Sequence, residues 1–123
     1  MTSLHYLIPG RPVPKARPRV VRGRTYTDPR TVAWESTVRA HTMRAVQQAK
    51  RAGLRWPLDA TYRVELTFRL PDKRRVDGDN LEKSCLDGAN GVAWLDDSQV
   101  VECSWSKVYG VEPGCVVSVE VVT

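Results

Sequence analysis

The chain has 123 residues, 41% of them hydrophobic, and nineteen Lys and Arg against fourteen Asp and Glu leave a formal charge of +5. That length suits a single domain, 1–123, with a modest core, and the basic excess suggests a polyanionic partner. No apolar run nears the roughly 18 residues of a membrane span and no signal-peptide core opens the chain, so a cytoplasmic protein is expected.

The first element is a short strand in "SLHYLIPG". Residues 11–24, "RPVPKARPRVVRGR", then hold six basic residues and no acid. Their prolines keep the segment extended, with a small turn at Arg22 and Gly23. Asp28 followed by Pro29 offers a helix cap and a proline at the first helical position. That helix is expected to run to about Ala52 and stop at Gly53. Its inward stripe is read as Trp34, Val38, Ala45, Ala49 and Ala52, with His41 a packing residue at the edge.

"TYRVELTFRL" is the clearest strand, because Tyr62, Val64, Leu66, Phe68 and Leu70 alternate with polar residues. Strict alternation means one buried sheet face, hence an α+β fold of two layers with both helices on the same side. A second helix is expected from near Asp79 to about Asn90. Leu81, Cys85, Gly88, Ala89 and Val92 fall on its inner face, and Asp79, Lys83, Asp87 and Asn90 on the other. "VVECSWSKVY" and "CVVSVEVV" are two further strands, expected to be antiparallel neighbours joined around residues 110–114. The cysteines, Cys85, Cys103 and Cys115, are odd in number and widely spaced, so they read as small core residues. Neither His5 nor His41 has zinc-ligand spacing to them.

The acids raise the functional question. Asp77, Asp79, Asp87, Asp96 and Asp97 gather directly behind Lys73, Arg74 and Arg75. Taken singly, each has a plain explanation: Asp79 as a cap, Asp77 favoured by the helix dipole, Lys83 with Asp87 as a surface pair four residues apart. Together they are harder to explain without a cation, and they are expected to meet in space. An EF-hand is excluded, since Leu81 and Glu82 stand where that loop needs an oxygen ligand and a glycine. A nucleotide-sugar transferase would need a larger nucleotide-binding domain. Two or three carboxylates beside a lysine suit metal-assisted phosphodiester hydrolysis, in which Mg²⁺ accepts hard oxygen ligands and activates a water. Basic flanks around such a centre would hold the phosphates. A module that only binds branched DNA gains nothing from acids that repel phosphate. A structural protein with a capped turn would not need Lys83 or both aspartate pairs.

"RRVDGDNLEKSCLDGANGVAWLDDSQVV" resembles the signature of the RusA family of Holliday-junction resolvases of bacteria, prophages and phages: Asp-x-Asp-Asn, then Lys, Asp, and a tryptophan-linked Asp-Asp. "PGRPVPKARPR" and "TYTDP" resemble the front of phage-type members. The resemblance implies a homodimer acting in the bacterial host cell, with a mixed sheet and two helices per subunit. It implies an endonuclease that depends on Mg²⁺, with Mn²⁺ as a substitute, and nicks opposing strands of a four-way junction to leave 5′-phosphates and 3′-hydroxyls. Carried over by position, the catalytic residues are Asp77, Asp79, Lys83 and Asp97. The same three aspartates are the metal ligands, and Asp96 is a further ligand or a loop-shaping residue. Asn80 and Asp87 match the pattern in supporting positions. Lys15, Arg17, Arg19, Arg22, Arg24, Lys73, Arg74 and Arg75 become candidate phosphate contacts. Trp34, Trp94 and Trp105 are read as packing residues.

Overall fold

The computed structural model describes residues 2–17 and 19–122, including the backbone but not the side chain of Arg19. Strand β1 (Ser3–Pro9) precedes a small hairpin, β2 (Arg19–Val21) and β3 (Arg24–Tyr26), and then helix α1 (Pro29–Arg51). Strand β4 (Tyr62–Leu70), helix α2 (Gly78–Ala89), β5 (Val100–Tyr109) and β6 (Gly114–Val121) follow. The main sheet is mixed, in the order β1-β6-β4-β5, with β4 and β5 parallel and the other pairs antiparallel.

The expected α+β class holds: a mixed sheet with two helices over one face. On β4 the alternating residues Tyr62, Val64, Leu66, Phe68 and Leu70 are buried. They share one core with Trp34 and Val38 of α1 and with Leu81 and Cys85 of α2. On the opposite face Arg63 pairs with Glu102 of β5 and lies 3.9 Å from Glu120 of β6. The cysteines are free, Cys85 and Cys115 buried and Cys103 half-buried. No helix among the described residues is long and apolar enough to cross a membrane.

The expected neighbouring of β5 and β6 is overturned. β4 lies between them, and residues 110–113 carry the chain across its end, where Val111 N–H donates to the Leu70 carbonyl at 3.4 Å. The reason is burial: β4 has five buried apolar side chains and takes the centre, whereas β5 has no buried residue and takes the edge. Parallel β4 and β5 cannot be joined by a hairpin, so α2 becomes the crossover between them.

Helix α1 starts as expected. Asp28 caps it, accepting from the Arg30 amide at 2.8 Å, and Pro29 opens the first turn. The buried stripe is Thr31, Trp34, Val38, Thr42, Val46 and Ala49, so Ala45 is only half-buried and Ala52 is exposed. Two threonines were missed because their hydroxyls are satisfied inside: Thr31 donates to the Pro14 carbonyl and Thr42 to that of Val38. His41 is half-buried at the edge of the stripe.

The two helices meet at Gly88. A methyl there would lie 2.8 Å from Val38 Cβ and 2.9 Å from the Glu35 carbonyl oxygen. Alanine would gain about 1 kcal/mol of helix propensity over glycine. Overpacking against a backbone oxygen costs about 1–3 kcal/mol, so the clash should win. Gly88→Ala should therefore unfold at lower urea than the parent, by up to about 2 kcal/mol. A more stable variant would mean that α1 and α2 do not approach this closely.

Candidate active site

The acidic turn is set by Asp77, whose Oδ1 accepts from the amides of Asp79 at 2.9 Å and Asn80 at 3.4 Å. Asp77 is thus the cap, and α2 begins at Gly78, one residue earlier than the sequence suggests. This turn rests directly on β5. A Cβ at Gly78 would fall 2.2 Å from the Trp105 ring, so only glycine lets the backbone lie there. The Trp105 indole N–H then reaches Asp79 Oδ1 at 3.1 Å. Lys107 fastens the same loop, donating to the Val76 carbonyl with its ammonium 5.6 Å from the Trp105 ring centre. Asp77 and Asp79 are exposed at a helix N-terminus, where the backbone dipole favours negative charge. Lys83, one turn further along α2, is exposed and makes no ion pair among the described residues.

Asp97 is anchored at the foot of β5 in the same manner. The buried Trp94 indole donates to Asp97 Oδ1 at 2.9 Å. Asp96 caps the single 3-10 turn Asp97–Gln99: its side chain accepts from the Ser98 amide at 3.0 Å and from the Ser98 hydroxyl. Those two bonds, the hydroxyl first, hold the Asp96 carboxyl below the usual carboxylate range. Gln99 closes the box, accepting from the amides of Leu95 and Asp96 and donating to the carbonyls of Leu58 and Ala60. Asp96 is committed to the shape of this turn.

The expectation that all the acids meet is corrected by this geometry. Among the described residues, no three His, Cys, Asp or Glu side chains converge to hold a metal ion. As the crossover, α2 runs back along β5, with Asp79 beside Trp105 and the C-terminal bridge from Asn90 to Trp94 near the foot of the strand. Twelve helical residues span about 18 Å, and five strand steps from Val100 to Trp105 span about 17 Å. Asp77 and Asp79 therefore sit at one end of α2, and Asp96 and Asp97 at the other.

The basic residues divide too. Lys15 Nζ lies 2.8 Å from Glu35 and 3.1 Å from Asp87, so its charge is matched inside the subunit. The Glu35 hydrogen bond is the main cause of its raised pKa. Asp87 thereby serves Lys15, and the surface pair of Lys83 with Asp87 does not form. The segment around Lys15 is also stitched to α2, through Lys15 N–H to the Asn80 carbonyl at 2.8 Å and the Ser84 hydroxyl to the Val13 carbonyl at 2.6 Å. Arg17, Arg22 and Arg24 are exposed, the last two on the β2–β3 hairpin. The Arg19 side chain lies outside the described residues. Lys73, Arg74 and Arg75 are exposed just before Asp77, and Arg74 shares Asp72 with Arg11. A cleft of about 350 Å³ lined by Arg11, Arg30, Arg74 and Val76 joins this loop to the proline-rich segment. Trp94, Trp105 and Lys107 had been missed as site residues. Indole spacing to the acids was the available signal, since Trp94 stands three residues before Asp97.

A family model described as "Endodeoxyribonuclease RusA" matches residues 9–120. The crossover junction endodeoxyribonuclease RusA of Enterobacteria phage 82 is 30% identical over 103 residues, covering 83% of this chain and 80% of the relative. The proteins of the same name from Escherichia coli strain K12 and Shigella sonnei strain Ss046 are each 33% identical over 82 residues. That match covers 66% of this chain and 62% of each relative.

Replacing Lys15 should register as a loss of stability, because Glu35 and Asp87 would face each other unpaired. The three groups are partly screened by solvent, so Lys15→Met should cost about 1–2 kcal/mol in urea unfolding, between exposed and buried pairs. A variant as stable as the parent would show that the triad is not holding the segment to the helices.

Proposed function

The chain belongs to the RusA endodeoxyribonuclease family, and on that premise we propose that it resolves four-way DNA junctions as a Mg²⁺-dependent homodimer, each chain acting as one endonuclease domain. The observation that carries this reading is the first turn of α2. Asp77 and Asp79 are exposed there, each using only Oδ1 for hydrogen bonds among the described residues, with Lys83 one turn on and Lys73, Arg74 and Arg75 leading in.

The donor set fits a hard divalent cation. Mg²⁺ is held by one or two carboxylates completed by water and phosphate oxygens, and Mn²⁺ accepts the same ligands. Asp77 and Asp79 would hold the ion, with Asp97 as the third carboxylate and Asp96 shaping the turn beside it. When bound, the ion neutralises the scissile phosphate and lowers the pKa of a water. The chain's own groups do the rest. Trp105 fixes the orientation of Asp79 and Trp94 that of Asp97. Lys83 is placed to hold the scissile phosphate and to stabilise charge developing on it. Lys73, Arg74 and Arg75, with Arg17, Arg19, Arg22 and Arg24 on the extended segment and hairpin, position the DNA backbone without reading its sequence. Lys15 supports that segment from within. Cutting two equivalent strands of a junction, leaving 5′-phosphates and 3′-hydroxyls, calls for two such centres related by a two-fold axis.

A labelled four-way junction incubated with and without Mg²⁺ tests the reading. Wild type should nick opposing strands only with the metal and should cut linear duplex poorly. Asp79→Asn should cut at least about 100-fold more slowly yet bind the junction as well or better, since it loses a ligand charge but also a repulsion toward phosphate. Normal cutting by Asp79→Asn would remove Asp79 from the site. Metal-free cutting would remove the mechanism.

A further inference from the structure

A groove leaves the acidic turn and follows α1 away from it. It starts in the cleft between Arg11, Arg30 and Arg74, which reaches Val76, one residue before Asp77. A second cleft of about 290 Å³ continues from it, sharing Arg11, Val13 and Arg30 and adding Trp34 and Thr37. A third, of about 420 Å³, shares Pro9 with the second and lies between β1 and α1, at His5, Tyr6, His41, Arg44 and Gln48. On α1, Arg30, Thr37, His41, Arg44 and Gln48 recur within an arc of about 60°, so the groove tracks one face of the helix. From Arg30 to Gln48 that face is about 27 Å long at 1.5 Å per residue.

The chemistry changes along its length. At the near end the charges are partly matched, since Arg30 pairs with Asp28, and Arg11 and Arg74 share Asp72. At the far end no carboxylate among the described residues lines the cleft. Arg44 is exposed there and makes no ion pair among the described residues. His5, His41 and Gln48 add N–H donors, and β1 is a sheet edge, whose outward amides have no strand beside them. Trp34 lines the middle of the groove, and its buried indole N–H finds no acceptor among the described residues. An orphaned buried donor calls for an acceptor. Donors in excess, in a cleft of one sign, select an anion. We propose that this groove takes the sugar–phosphate backbone of one strand of a junction arm and carries it from the acidic turn to Arg44. This rests on the nuclease reading above and adds the path of the arm beyond the metal. Continuity favours DNA over an acidic protein: a strand with its phosphate at Asp77 and Asp79 has its next phosphates beside Arg74 and Arg30. At 3.4 Å per base pair, about 27 Å holds roughly eight base pairs. Such backbone contacts fix the direction in which the arm leaves the cut and read no sequence.

Hydroxyl-radical footprinting and salt-dependent binding on a labelled four-way junction test this, without metal so that no strand is cut. Wild type should protect one strand of an arm for about eight nucleotides beyond the cleavable phosphate. Arg44→Glu and Gln48→Glu, both at exposed positions, should lose the outer half of that protection and keep the inner half. Arg44→Glu should also bind at least about 10-fold more weakly at low salt and flatten the log–log salt slope by about 1 for each subunit bound. Arg39→Glu makes the same charge change about 140° round the helix and should leave footprint and slope as in wild type. Gln48→Glu keeps the size of the side chain, so it decides the matter if Arg44→Glu unfolds. Protection absent or confined to the branch point in wild type, an unchanged footprint in both groove variants, or an equal loss in Arg39→Glu would overturn the groove. A wild type that gives the footprint but cuts nothing once Mg²⁺ is added would end the nuclease reading and leave the groove standing.

Discussion

Helix α2 can sit where it does because it has no side chain at two points. At Gly88 it lies against Val38 and the Glu35 carbonyl of α1, and at Gly78 its first turn lies on the Trp105 ring of β5, each with less room than a methyl needs. These two contacts fix the helix in translation as well as rotation. Asp79 then meets the Trp105 indole, and Lys107 reaches the Val76 carbonyl. The proline-rich segment is stitched onto the outer side of the same helix through Asn80, Ser84 and Asp87. The acidic turn, the basic loop before it and the arm beside it are all positioned by one seated helix.

The acidic residues fall into two kinds. Asp72 is matched by Arg11 and Arg74, Asp87 by Lys15, and Asp96 by Ser98. Asp77, Asp79 and Asp97 differ: among the described residues each hydrogen-bonds through Oδ1 to N–H donors only, none of them from a cation. Two of those donors are tryptophan indoles, which orient a carboxylate without neutralising it. Such a carboxylate is aimed and keeps its charge for a ligand. The division separates the carboxylates left open to a ligand from acids that only shape loops.

Much of this was legible from residue patterns. The alternation in β4, the cap at Asp28 with Pro29 behind it, and the apolar face of α2 each follow from local rules, because each is satisfied within a few residues. The strand order was not legible, since residues 110–114 suit either a hairpin or a crossing over the end of β4, and burial across the whole sheet decides between them. Lys15 read as one cation among many because its partners Glu35 and Asp87 are distant in sequence. The separation of Asp77 and Asp79 from Asp97 was hidden for another reason. A helical wheel reports which face a residue occupies and discards its position along the axis, and here the axis carries the distance that matters.

The most direct measurement uses Mn²⁺ in place of Mg²⁺ and follows backbone amide signals of the wild-type protein by NMR. Paramagnetic broadening reports which amides lie next to the ion, whether or not any DNA is cut. The signals of Gly78, Asp79 and Asn80 should disappear together with those of Asp97, Ser98 and Gln99, at the same Mn²⁺ concentration. Loss of one group while the other persists would place the ion at one end of α2 alone and contradict a site that takes Asp77, Asp79 and Asp97 together.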